Sequence, residues 1–144
     1  MGTYRFSVQV PAPPDRVFDL WTNLDRMKEW VGGVTKVTDV TGPTSQVGTR
    51  YTVWFGGMRS QSEVLEVERP WRYRTRFGNW LLRGENSTTF EEEGAGTRVV
   101  EEFRSDGLIA GIAARVFATG SYRGSFQGEL NAFARIAERD ATAG

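Results

Sequence analysis

From Val34 to Asp106 turn signals recur at short intervals, at Gly42-Pro43, Gly56-Gly57, Arg69-Pro70, Gly78-Asn79 and Gly94-Ala95-Gly96. The segments between them are too short for helices and read as strands joined by hairpins, which build an antiparallel meander. Side-chain parity then assigns faces. Tyr51, Val53 and Phe55 share one side of their strand, followed by Leu65 and Val67, by Tyr73, Thr75 and Phe77, by Leu82 and Phe90, and by Val99 and Phe103. This side is expected to face inward. The segment Val34 to Thr41 does not alternate cleanly, and a bulge in the strand Trp80 to Glu91 would invert part of the assignment.

The flanks complete an α+β pattern. Tyr4, Phe6, Val8 and Val10 alternate with polar residues as a strand with one buried face. Pro11-Ala12-Pro13-Pro14 stops it, Pro14 suits a first helical turn, and Val17, Phe18, Trp21 and Leu24 recur at helical spacing. Asp25 can cap a second short helix carrying Met27, Trp30 and Val31, ended by Gly32-Gly33. Beyond Asp106, Ile112, Val116, Phe126, Leu130, Phe133 and Ala137 mark a long amphipathic helix running to about Arg139. A break at Gly111 or near Thr119-Gly120 would divide it. The expectation is one domain over residues 1–140, with a frayed tail over 141–144.

Composition narrows the chemistry. The chain has 144 residues, no cysteine and no histidine, which removes disulfides, thiolate metal sites, a thiol nucleophile and the commonest proton shuttle. Eighteen basic residues balance eighteen acidic ones, so bulk charge gives no case for nucleic acid or an anionic membrane. No stretch is long and apolar enough to span a bilayer, and the N-terminus lacks a secretory pattern, which reads as cytoplasmic. Nine Phe, five Trp and four Tyr need a core or a pocket to occupy.

One strand, two short helices, six further strands and a terminal helix is the element order of the helix-grip (Bet v 1-like) fold, in which a curved seven-stranded antiparallel sheet grips the last helix. The sequence also resembles, residue by residue, the polyketide cyclase/dehydrase and lipid-transport family of the START-like (SRPBCC) superfamily. The matching segments are Val10-Pro11-Ala12-Pro13-Pro14-Asp15-Arg16-Val17-Phe18, Trp21-Thr22, Glu29-Trp30, Val47-Gly48-Thr49, Val64-Leu65-Glu66-Val67-Glu68-Arg69-Pro70 and Gly96-Thr97-Arg98. Where the family often has Trp-Pro before the Glu-Trp pair, this chain has Met27-Lys28, so local packing should differ. The family is functionally mixed. The resemblance implies a container for an apolar small molecule more directly than it implies a reaction.

Parity places Glu63 and Glu101 on the inward face, where a carboxyl would have a raised pKa and could serve as acid, base or ligand anchor. Tyr51 and Tyr73 are the natural hydrogen-bond donors opposite them, and Asn86 and Thr88 share the parity of Phe90. The ordinary alternative is that the carboxylates reach water at strand ends and the tyrosines are core. Gly120, Gly124 and Gly128 lie four apart in the terminal helix and each costs about 1 kcal/mol relative to alanine. They either leave room for ligand or allow close packing. The expected ligand-binding set is Trp30, Tyr51, Val53, Phe55, Leu65, Tyr73, Phe77, Phe90, Phe103, Val116, Gly120 and Gly124, with Trp80 an additional residue for the pocket mouth. No metal or cofactor is expected. Arg72, Arg74 and Arg76 face outward, where Glu66 and Glu68 across a hairpin would neutralise them. An outward Trp54 can mark a subunit contact and hence a homodimer.

Three functions fit this pattern. The leading one is binding, carriage or sequestration of a hydrophobic or aromatic small molecule such as a lipid or polyketide. The second is a metal-free cyclase, aromatase or dehydratase acting on a poly-keto substrate, with Glu101 or Glu63 as base and Tyr51 or Tyr73 as proton donor. The third is a protein-interaction module of the chaperone-activator kind, its interior filled.

Overall fold

The computed structural model describes residues 2–79, 83–106 and 121–143. Its elements are β1 (Gly2–Val10), α1 (Pro14–Trp21), a 3-10 helix (Leu24–Glu29), β2 (Lys36–Thr38), β3 (Arg50–Phe55), β4 (Met58–Glu68), β5 (Arg72–Gly78), β6 (Arg83–Glu93), β7 (Gly96–Asp106) and α2 (Ser121–Ala143). The seven strands form one sheet in the order β1-β7-β6-β5-β4-β3-β2, with each neighbouring pair antiparallel. This is the helix-grip order expected from the sequence.

Four local features differ from expectation. Asn23, not Asp25, caps the 3-10 helix: its side-chain oxygen accepts the Asp25 N–H at 3.1 Å. The irregular stretch Val34 to Thr41 supplies only the three residues of β2, after which Asp39 turns the chain at φ 57°. α2 continues through Ala143, and Ala141 packs on the core, so residues 141–143 are helical where a frayed tail is expected, while Gly144 lies outside the described residues. The fourth difference moves a candidate site residue. The bulge lies in β4 between Val64 and Glu66, whereas β6 keeps regular register with β7 from Arg83 to Glu93.

That bulge falls where β4 passes the end of β3, with Val64 still bonded to the backbone of Gly48 and Thr49. The extra residue, Leu65, shifts the alternation. Ser60, Ser62 and Val64 are buried on the inner face, and after the bulge Val67 faces the same way opposite Tyr73. Glu63, Glu66 and Glu68 consequently lie outside, opposite Arg76, Arg74 and Arg72. Ion pairs connect Arg74 to Glu66 and Glu85, Arg72 to Glu66, and Arg76 to Glu63 at 3.2–3.4 Å. The arginine stripe is a neutralised outer surface, as pairing across the hairpin implies. Trp54 is half-buried there. Its Nε1 donates to Thr38 Oγ1 at 2.8 Å, and Lys36 and Arg59 lie over its ring.

α2 crosses the inner face beside β1 and α1. Gln127 Nε2 donates to the Ser7 carbonyl, Arg26 of the 3-10 helix pairs with Asp140, and the Gly32 N–H donates to Glu129 Oε1 at 3.2 Å. Aromatic edges fill the space between α1, α2 and the sheet: Phe18 meets Phe90, and Trp21 and Trp30 both meet Phe133, at centroid separations of 5.1–5.3 Å. Val10, Val17, Val99 and Leu130 close this end of the core with almost no exposure.

Candidate functional site

Toward β3, β4 and β5 the packing stops short of filling the interior. A cavity of about 470 Å³ lies between the sheet, the 3-10 helix and α2. Its walls follow from alternation along each strand. β3 contributes Tyr51, Val53 and Phe55, β4 Ser60 and Ser62, β5 Tyr73, Thr75 and Phe77, β6 Asn86 and Thr88, and β7 Glu101 and Phe103. The helical elements and the turn after them add Trp21, Leu24, Met27, Trp30, Val31, Phe126 and Leu130. Phe103 is fixed by neighbouring rings, 5.2 Å from both Phe77 and Phe126.

Seven of the expected ligand contacts therefore converge: Trp30, Tyr51, Val53, Phe55, Tyr73, Phe77 and Phe103. Phe90 does face inward, but Phe18 and Trp21 cover it, so it belongs to the solid core. Leu65 is the bulge residue and lines nothing in the cavity. Glu63 is removed from the candidate acids and bases, because it faces solvent and pairs with Arg76 on the opposite side of the sheet. Trp80, Leu82, Ile112, Val116 and Gly120 lie outside the described residues, as do the surroundings of Gly124. Gly128 is exposed, and a Cβ built on it would meet nothing within 4 Å. It neither makes room in the cavity nor permits a close approach.

Glu101 sits where parity places it, only 5 % exposed. Asn86 Nδ2 donates to its Oε2 at 2.7 Å. With no described cation to compensate the charge, burial pushes its carboxyl from 4.5 up to about 7, and the Asn86 bond opposes the shift. Glu129 is a residue that the strand-by-strand reading misses. Burial raises it to about 7 also, the nearby Glu101 adds to the rise, and the Gly32 N–H opposes it. The helical period holds the signal. Glu129 lies three residues after Phe126 and four before Phe133, on the stripe that faces the sheet. Both carboxyls line the same cavity, and no lysine or arginine does so among the described residues.

The two tyrosines are poor proton donors in this setting. Burial pushes Tyr51 up to about 12 and raises Tyr73 as well, and the Tyr73 hydroxyl already donates to the Thr44 carbonyl at 3.0 Å. They can orient a ligand by hydrogen bonds, whereas the carboxyls are the groups that exchange protons near neutrality. Among the described residues, no group of three or more carboxylates could hold a metal ion, and no helix is long and apolar enough to cross a membrane.

The family described as polyketide cyclase/dehydrase and lipid transport matches residues 1–138. The chain belongs to this family. Solved structures share its fold at low identity. Protein MLL2253 from Mesorhizobium loti superposes with a TM-score of 0.77 at 19% identity, covering 96% of this chain and 98% of the other. TTHA0849 from Thermus thermophilus gives 0.70 at 21%, covering 97% and 99%. The di-domain ARO/CYC StfQ from the steffimycin biosynthetic pathway gives 0.70 at 18%, covering 95% of this chain and 45% of that one. No curated protein matches the chain.

Proposed function

We propose that this family member binds a hydrophobic, ring-bearing small molecule in the cavity beneath α2. The observation that carries this reading is an interior space of about 470 Å³ walled by Trp30, Phe55, Phe77 and Phe103, with polar groups gathered around Glu101. Mostly apolar walls with a few placed polar groups are the general form of a small-molecule site, and the volume suits a ligand of a few fused rings. A protein-interaction module needs no such space, so the cavity weighs against that role. The direct test is native mass spectrometry of the purified protein, combined with titration by a neutral solvatochromic dye such as Nile red. A retained small molecule, or one dye bound per chain with a blue-shifted emission, is expected. The absence of both signals would sink the reading.

A second reading, cyclisation or dehydration of a poly-keto substrate, is favoured by one specific observation: Glu101 and Glu129 are both poised near pH 7 beside the cavity. A base with that affinity for protons can accept one from an activated carbon and return it to a leaving hydroxyl. If this chemistry operates, Glu101→Gln lowers kcat on a poly-keto test substrate by about 100-fold or more and leaves KM nearly unchanged. Equal turnover by the variant and its parent removes Glu101 from the chemistry.

A further inference from the structure

The polar end of the cavity has an unusual inventory. Its charged candidates among the described residues are two carboxyls, Glu101 on β7 and Glu129 on α2. Asn86 donates to one oxygen of Glu101. Asn86 in turn has its own carbonyl oxygen, Oδ1, buried and without a partner among the described residues. Glu101, Asn86 and Glu129 thus line one interior space, and the two carboxyls have acceptor capacity to spare. A carboxyl lining an interior space gains from a ligand that supplies hydrogen-bond donors to it. The other titratable groups facing the space, Tyr51 on β3 and Tyr73 on β5, stay neutral, and the described residues of α1, β4, β6 and the 3-10 helix bring no ionisable side chain to it.

Resting on the proposed binding function, we infer that the ligand carries a positively charged, donor-bearing nitrogen, an ammonium or amidinium, on an aromatic body, and that the Glu101–Asn86–Glu129 end of the cavity receives it. A carboxylate or phosphate ligand would meet two like charges there with no described cation to offset them. The aromatic walls accommodate the ring system, and the rings beside the polar end also favour a cation over an anion.

The pH behaviour follows from the groups named. Both carboxyls ionise around pH 7 in the empty protein, and a cation stabilises the ionised forms. Its affinity therefore rises from about pH 5.5 to about pH 8, and binding near pH 6 releases protons to the buffer. An anionic ligand requires the carboxyls neutral, so its affinity falls over the same range and its binding takes protons up.

Three probes of nearly equal shape test this: 2-(2-naphthyl)ethylammonium, 2-(2-naphthyl)ethanol and 2-naphthylacetate, titrated calorimetrically in buffers of different ionisation enthalpy. At about pH 8 the ammonium should bind at least tenfold more tightly than the alcohol, and the acetate more weakly than either. Glu101→Gln with Glu129→Gln should bring the ammonium to within about threefold of the alcohol measured on the same variant. Glu129→Gln alone, and the pH dependence of the parent protein, give the same information should the double variant fold poorly. Binding of the alcohol with no preference for the ammonium, or a preference that survives loss of both carboxyls, overturns this inference and leaves the binding function standing. Failure of all three probes and of the neutral dye overturns both.

Discussion

Glu101 keeps its proton at pH values where an ordinary glutamate has lost it, and stability has to reflect that. Folding raises its affinity for a proton, from 4.5 to about 7, through burial. Between those values the folded chain holds a proton that the unfolded chain releases, so stability falls as pH rises through this window. The cost is absent below about pH 4.5 and complete above about pH 7, where it amounts to on the order of 3 kcal/mol. Glu129 adds a cost of the same sign, raised by burial and by the nearby Glu101. Gln at position 101 keeps the shape and can still accept from Asn86 Nδ2 without carrying a charge. Glu101→Gln should therefore match its parent in urea unfolding at about pH 4.5 and exceed it by about 1–3 kcal/mol at about pH 8. An equal effect at both pH values would show that the carboxyl is not strained by burial. A destabilised site retained in the empty protein is what a binding or reactive group looks like.

At the scale of elements, β4 shows both what the sequence reveals and where it stops. Alternation in β1, β3, β5 and β7 is readable because each strand stays in register along its length, and it puts Tyr51, Tyr73, Glu101 and Phe103 on the face that lines the cavity. Counting by twos fails across Leu65, since one extra residue exchanges the faces on either side of it. Parity assigns Glu63 to the interior for that reason alone. In the structure Glu63 pairs with Arg76, and their side chains are 36 % and 58 % exposed, so its charge is solvated. Glu63→Gln should leave ligand affinity within about twofold and stability within about 0.5 kcal/mol. A tenfold loss of affinity would contradict the register described for β4. Phe90 illustrates a different limit. Parity gives its direction but says nothing of whether the space above is filled, and Phe18 and Trp21 from α1 fill it. Glu129 is legible in the period of α2, where a carboxylate among Phe126, Leu130 and Phe133 marks a position facing the sheet.

At the scale of the whole molecule, the described residues divide into a packed end and a hollow one, and the division sets a competition. Around Val10, Val17, Phe18, Phe90 and Phe133 nearly every side chain is out of water, while the end bounded by β3, β4 and β5 leaves about 470 Å³ unfilled. Side chains bordering such a space lack contacts on one side and forfeit the dispersion energy that packing would supply. A ligand can restore those contacts, and a larger side chain can restore some of them while taking part of the ligand's room. Ser60 is the position at which to force the choice. It is 9 % exposed, lines the cavity and pairs across the ladder with Val53. Leucine there projects into the space from the middle of a regular strand segment, before the bulge. Ser60→Leu should raise the melting temperature of the empty protein by about 3 °C, corresponding to roughly 1 kcal/mol. The parent should gain stability as Nile red is added, in proportion to the logarithm of dye over Kd, whereas the variant should gain less at each dye concentration. Thermal denaturation with and without dye measures both quantities in one experiment. Unchanged dye affinity in the variant would mean that the dye does not sit against the β4 wall of the cavity, because the added side chain narrows the space from that wall.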